Sequence, residues 1–238
     1  MSEAKQKALS YLERDPLHTM DMLEPIRRGQ AEIVGVREDG ALIYDVPSKT
    51  YLLAADSRED GDALCAEVKD PYLFVTHDRE NGEFFREKFG FQTAQECWPA
   101  AYLSREPLPV KLSPGMEIRK LGLEFSQAVY DNYSTFSDKP YVEARIREGV
   151  MHGAFRNGEL MGFIGMHAEG SVGMLEVLPN CRRQGAAAAL MAYQVNWCLE
   201  RGYVPFSQIF LGNEASLRLH QKMGFTVSEK PLFWVMDT

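Results

Sequence analysis

The chain of 238 residues is poor in the features that would tie it to a metal, a membrane or a nucleic acid. Cysteine is scarce: Cys65, Cys97, Cys181 and Cys198 are scattered, with no Cys-x-x-Cys spacing. That argues against a disulfide framework or a zinc site and leads us to expect a reducing compartment and no metal. No apolar run approaches the ~20 residues of a membrane-spanning helix. The opening residues, MSEAKQKALSYLERDPLH, are charged and lack the apolar centre of a secretory leader, so a cytoplasmic protein without a membrane partner is expected. A basic excess is missing too. Lys and Arg number 26 against 34 Asp and Glu, a net charge of −8, which makes the chain a poor partner for nucleic acid.

What remains is the composition of an ordinary globular protein, 45% hydrophobic and 25% charged, long enough for one large domain or two small ones. The charge is unevenly placed. Residues 1–110 carry 13 Lys and Arg and 21 Asp and Glu, whereas residues 111–238 carry 13 of each. The acidic excess therefore belongs to the first half, where it serves solubility or attracts a cationic acceptor.

Residues 177–191, VLPNCRRQGAAAALM, are the most informative stretch. An apolar strand end leads through Pro179 into Arg182-Arg183-Gln184-Gly185-Ala186-Ala187, and an alanine-rich helix follows. Gly185 has no side chain to hold a ligand away from the backbone. The first N–H groups of a helix lack internal partners, carry partial positive charge and suit a phosphate. Two arginines stand beside them.

This run resembles the acyl-CoA-binding motif of the GNAT superfamily of N-acyltransferases, Gln/Arg-x-x-Gly-x-Gly/Ala, filled here by Arg182, Gly185 and Ala187. A second stretch, NEASLRLHQKMGF at 213–225, is similar to a later GNAT motif through Asn213, Ser216, Leu219, Gly224 and Phe225. The wording around HAEGSVGMLEVLPNCRRQG also resembles the glycine N-acyltransferase-like branch. The resemblance implies an α/β (α+β) GNAT fold, with a mixed, mostly antiparallel sheet flanked by helices, and acetyl-CoA or another acyl-CoA as cofactor. The order of elements read along residues 116–238 fits it: a strand at 116–121, helices at 123–133 and 141–148, strands at 150–156 and 160–167 joined by Asn157-Gly158, a strand at 171–177, a helix at 182–201, a strand at 204–211, a helix at 214–223 and closing strands at 226–228 and 232–236.

SREPLPVKLSPG at 104–115 reads as a linker. The segments REKFGFQTAQECWPAAY (86–102) and HQKMGFTVSEKPLFWVM (220–236) resemble each other at an offset of 134 residues, which points to duplication. The expected domains are 1–106, a degenerate GNAT-like domain without cofactor binding, the linker 107–115, and 116–238, the acyl-CoA-binding domain. The counterpart of the phosphate loop would be Arg58-x-x-Gly61-x-Ala63, but Glu59, Asp60 and Asp62 crowd it and would repel a pyrophosphate. Arg58 also precedes Gly90 by 32 residues where Arg182 precedes Gly224 by 42, so the intervening helix should be shorter by about three turns.

Acyl transfer to an amine needs a fixed thioester, a neutral amine, donors for the developing oxyanion and a proton for the leaving thiolate. Fixing falls to Arg182, Arg183, Gln184, Gly185, Ala186 and Ala187. By resemblance, the backbone at Glu176 and Val177 would hold the pantetheine arm and face the thioester oxygen, and Asn213 and Ser216 would contact the cofactor from the next helix. Many GNAT enzymes place Tyr seven residues after the motif Asn as the thiolate acid; here that position is His220. The base proposed for the glycine N-acyltransferase-like group aligns with Ser171, so Glu169 becomes the candidate, with His167 nearby. Strand alternation sets Glu176 on the face opposite Ser171, a structural place. Gln208 is expected to be structural or substrate-binding. The leading expectation is an N-acetyltransferase acting on a small-molecule amine or amino acid. A CoA-binding regulatory module without turnover and a peptide or protein N-acetyltransferase stand as alternatives, and the oligomeric state is left open.

Overall fold

A computed structural model of the chain describes residues 2–133 and 138–237. The first half runs α1 (Glu3–Leu12), α2 (Met20–Arg28), β1 (Ala31–Arg37), β2 (Gly40–Asp45), β3 (Thr50–Ala55), α3 (Arg58–Leu64), β4 (Leu73–Thr76), α4 (Arg79–Phe89) and β5 (Thr93–Ala101). The second half runs β6 (Met116–Lys120), α5 (Ser126–Asn132), α6 (Lys139–Glu148), β7 (His152–Arg156), β8 (Glu159–Met166), β9 (Val172–Val177), α7 (Ala186–Leu199), β10 (Phe206–Phe210), α8 (Glu214–Lys222), β11 (Thr226–Val227) and β12 (Leu232–Met236). From α1 to β5 and again from α5 to β11 the order is two helices, three strands, helix, strand, helix, strand.

Local chemistry accounts for the element ends. The Asp78 carboxylate accepts from the Asn81 N–H and caps α4, and Gly90, at φ +77°, closes that helix in the left-handed conformation. Asp138 caps α6 by accepting from the Tyr141 N–H. Asn157 and Gly158, at φ +52° and +85°, form the two-residue turn between β7 and β8, with Arg156 paired to Glu159.

The chain divides into two compact units, and the 107–115 segment lies wholly within the second of them. One holds the residues up to Ala101 together with Phe206–Leu217 and those from Thr226 onward; the other holds Tyr102–Pro205 and Arg218–Phe225. The first unit contains a sheet in the order β1-β2-β3-β4-β12-β5-β10, with β11 also on β5. Only β3–β4 is parallel, through Thr50–Leu53 against Leu73–Thr76. Strand pairing is non-local, which is why the three last strands could not be assigned to a sheet from spacing. The core of this unit sets Leu42, Leu53 and Val235 around Phe74 and Phe85, whose rings lie 4.9 Å apart.

The second unit contains the antiparallel sheet β6-β7-β8-β9, with β9 at its edge. Phe155, Phe163 and Met174 pack with Val129, Val142 and Ile146 of α5 and α6. Helix α7 buries Ala189, Leu190, Ala192 and Val195, small to medium apolar side chains that pack beside β8 and β9. The linker is pinned to α7, because Asn196 accepts from the Leu108 N–H at 2.7 Å and donates to the Leu108 carbonyl at 2.9 Å.

Candidate active site

Beyond Val177 the chain makes a short turn at Pro179–Cys181 and reaches α7 through two left-handed residues, Arg183 at φ +62° and Gly185 at φ +86°. No side chain caps α7. Its first internal bond is made by the Ala189 N–H to the Gly185 carbonyl, so the N–H groups of Ala186 and Ala187 lie in the open first turn. A side chain at Gly185 would meet nothing within 4 Å. Arg182 and Arg183, within this turn, are both exposed. Arg182 Nε also donates to the Val177 carbonyl at 3.1 Å, which ties the loop to the end of β9. The Gln184 side chain is turned away: its carbonyl oxygen accepts from Arg156, and its amide donates to the Asn180 carbonyl at 3.1 Å. Of Gln184, only the backbone is left to face an anion.

Strand β9 carries a bulge. Glu176 pairs with Phe163 and Gly173 with Gly165, so β9 spends one more residue than β8 over the same span. Met174 absorbs it at φ +49°, with its side chain in the core. Paired residues share a face, so Glu176 lies on the face of Phe163 and Gly173, and counting back from Gly173 puts Ser171 there as well. Alternation alone set Glu176 on the opposite face; the inserted residue reverses that. Glu176 is half-buried. Burial raises its carboxyl pKa above the ordinary value, while the Arg182 charge and the Val177 N–H act to lower it.

A polar cluster lies where β8 turns into β9. Glu169 is buried and accepts from the Ser171 hydroxyl at 2.6 Å. The Ala168 N–H donates to the Tyr141 hydroxyl oxygen at 3.2 Å, and that hydroxyl lies 3.0 Å from His167 Nδ1. On the other side of the ring, His167 Nε2 lies 3.3 Å from the Tyr133 hydroxyl. Burial, with the Arg145 charge acting in the same direction and Glu169 against it, lowers the His167 pKa and favours the neutral imidazole. Tyr133, Tyr141 and Arg145 escaped the sequence reading. They come from the helices α5 and α6, and only the fold brings them to His167.

Residues 117–225 match the model of the Acetyltransferase (GNAT) family. That stretch corresponds to a GNAT acetyltransferase domain. Solved structures similar to the whole chain include a Drosophila protein (TM-score 0.72, 16% identity, covering 99% of this chain and 97% of the other). A GCN5-related N-acetyltransferase-like protein from Streptococcus suis is similar at TM-score 0.58 and 14% identity, covering 96% and 99%. A tandem GNAT protein from the clavulanic acid biosynthesis pathway is similar at 0.51 and 14%, covering 98% and 93%. At such identities the likeness is one of fold, and the mixed, mostly antiparallel sheets flanked by helices are those of the GNAT fold. No curated protein matches the chain.

Among the described residues, the start of α7 has no side-chain cap, Gly185 has open space before it, and Arg182 and Arg183 are exposed, features that fit the pyrophosphate of an acyl-CoA. The remaining residues singled out from sequence are placed as follows. His220, in the last turn of α8, is 4% exposed, and its ring meets Phe225 edge-on at 4.8 Å. Asn213 and Ser216 fall in the other compact unit. Asn213 Oδ1 accepts from the Ser216 N–H at 3.1 Å, the geometry of a helix cap. Gln208, half-buried in the first unit, donates to Asp21 at 3.0 Å and accepts from the Trp234 indole N–H at 3.1 Å. Among the described residues, no group of three or more His, Cys, Asp or Glu is placed to hold a metal ion, and no helix is long and apolar enough to cross a membrane.

The counterpart loop in the first half differs at each point that matters. Ser57 accepts from the Asp60 N–H and caps α3. An added Cβ on Gly61 would strike Asn81 at 2.3 Å, so packing fills the space that is open at Gly185. Arg58 and Lys88 are paired with Glu59 and Asp62, each at 2.5 Å. Helix α3 has 7 residues against 14 in α7, a deficit of two turns rather than three.

Proposed function

We propose that the chain is an N-acyltransferase that moves an acyl group, most simply acetyl, from acyl-CoA to the primary amine of a small molecule or amino acid. The observation that carries this is the uncapped, left-handed entry to α7 at Gly185, joined to the end of an edge strand inside a GNAT domain. Coenzyme A supplies a thioester-activated acyl group and a good leaving thiol. Backbone N–H groups of Ala186 and Ala187 bind the pyrophosphate, each charge-assisted bond contributing roughly 1.5–3 kcal/mol, and Arg182 and Arg183 add charge. The backbone at Glu176 and Val177 orients the extended arm, and a donor there faces the thioester oxygen.

An amine arrives protonated and must lose a proton before it attacks. Glu169, held by Ser171, is the candidate base; Glu176, with its raised pKa, is a second carboxylate, on the Ser171 face of β9. His220 is the candidate donor to the departing thiolate. The first half, residues 1–106, serves as a GNAT-like domain without a cofactor of its own. The capped α3, the paired Arg58 and the β3–β4 ladder support that reading. We propose a cytoplasmic setting.

The burial of His220 against Phe225 favours one other reading, a CoA-binding module without turnover. Supplying acetyl-CoA with a panel of amines, amino acids and peptides, and following thiol release, separates the readings. Release with a small amine supports the proposal. Release only with peptides moves the acceptor to the peptide class, and tight binding without release favours the module.

A further inference from the structure

Two left-handed residues, Arg183 and Gly185, flank Gln184 at the entry to α7. Glycine takes that conformation freely, but a residue with a Cβ keeps it only where its surroundings fix it. The hold falls on Gln184, whose side chain is gripped at both ends. Its amide donates to the Asn180 carbonyl at 3.1 Å, and its carbonyl oxygen accepts from Arg156 Nη1. Arg156 is the last residue of β7. It pairs with Met116 of β6 on one side and Glu159 of β8 on the other, so its backbone is set by two neighbouring strands. Its other amino group, Nη2, donates to the Ser113 hydroxyl at 2.7 Å. The guanidinium therefore clamps the loop with one prong and the segment before β6 with the other.

For the fold alone, Arg156 is a costly choice. It is half-buried, its Nε–H is buried with no hydrogen-bond partner, and among the described residues it forms no ion pair with a carboxylate. An apolar side chain would fill the same place without desolvating a charge. Arg58 of the counterpart loop, by contrast, is paired with Glu59.

We propose that Arg156 is a positioning residue for the acyl-CoA. It holds Gln184, which keeps Arg183 and Gly185 left-handed and the N–H groups of Ala186 and Ala187 turned out to the pyrophosphate. The inference rests on the pyrophosphate site proposed above. In this role Arg156 does not touch the cofactor, and its planar fork matters more than its charge. A loop tied to the end of a sheet is ordered before the ligand arrives, so binding does not have to order it.

The test titrates the full chain with acetyl-CoA by calorimetry and follows thermal melts of the same proteins. Arg156→Met keeps the aliphatic stem and removes both prongs, Arg156→Lys keeps the charge without the fork, and Gln184→Ala removes the held side chain. Each should weaken binding about tenfold while the melting temperature stays within about 4 °C of the parent. The double variant of Arg156→Met with Gln184→Ala should bind within about twofold of either single one, because both break the same hold. Parent affinity in Arg156→Met or in Gln184→Ala would overturn the proposal. So would losses that multiply to about a hundredfold in the double variant, or full affinity in Arg156→Lys, which would make the charge the cause. Weaker binding that comes with a larger fall in melting temperature in all three single variants would mark a purely structural role and overturn it too. Gly185→Glu is the control: parent affinity there removes the pyrophosphate site itself, whereas loss there beside parent affinity in Arg156→Met removes only the role of Arg156.

Discussion

Replacing Gly185 by glutamate separates the energy of the fold from the energy of the ligand. At φ +86° any side chain costs about 1–2 kcal/mol of backbone strain. A Cβ there meets nothing within 4 Å, so no steric term is added. A carboxylate at the start of α7 recovers about 0.3–1 kcal/mol from the helix dipole. The net loss of stability is therefore about 1 kcal/mol, a drop of about 2–4 °C in melting temperature for a chain of this size. Binding responds differently. A carboxylate about 4 Å from a bound phosphate charge, at an effective dielectric near 20, costs about 4 kcal/mol, or nearly three decades in affinity. Gly185→Asn tolerates the left-handed backbone without the charge and should keep affinity within about tenfold. Calorimetric titration with acetyl-CoA and thermal melts of the three proteins give both quantities. If Gly185→Glu binds acetyl-CoA within about threefold of the parent, the α7 entry is not the pyrophosphate site.

Ser57→Ala removes the cap of α3 and should cost about 1 kcal/mol in urea unfolding while leaving acetyl-CoA affinity unchanged; a loss of affinity would give the first half a cofactor role. Once the amine panel yields an acceptor, Glu169→Gln should lower kcat by about 10²–10⁴ and remove the acid limb of the pH–rate profile. If Glu176→Gln does so instead, the base is on the bulged strand. Burial opposes the charge on His77, yet the Asp21 carboxylate and the Leu53 carbonyl outweigh it and hold its pKa above the ordinary 6.5. That contribution to stability is complete below pH 6.5 and lost as pH rises through the folded value. His18, His152 and His167 are held below 6.5 chiefly by burial, so their contribution is lost as pH falls. Melting temperature should peak near neutrality and His77→Gln should flatten the alkaline limb; a steady rise from pH 6 to 9 would contradict this assignment.

The parts legible from sequence were those carried by local pattern. The Asn157-Gly158 hairpin and the turn into α7 were readable because φ > 0 positions and helix starts leave marks in adjacent residues. Even there the helix begins at Ala186, not Arg182, since Gly185 is left-handed. The bulge at Met174 left no mark. Methionine in an apolar strand looks like one more core position, and the extra residue shows only in the pairing with β8. The Tyr133–His167–Tyr141 contacts and the membership of β10, β11 and β12 in the first unit's sheet depend on residues far apart in sequence, about which periodicity is silent.

The placement of β12 between β4 and β5 has a consequence for the order of events during synthesis. The residues that pair with Phe74–Thr76 and Thr93–Cys97 are not made until the ribosome has reached Leu232–Met236. Until then the nascent first half holds two strands with unpaired edges, the state most prone to edge-to-edge association. Closing the sheet is a late step of high contact order, and it is expected to be slow. A chain that stops a dozen residues short would lose little mass, yet it would leave a gap in the middle of a sheet, with two sticky edges facing each other across it.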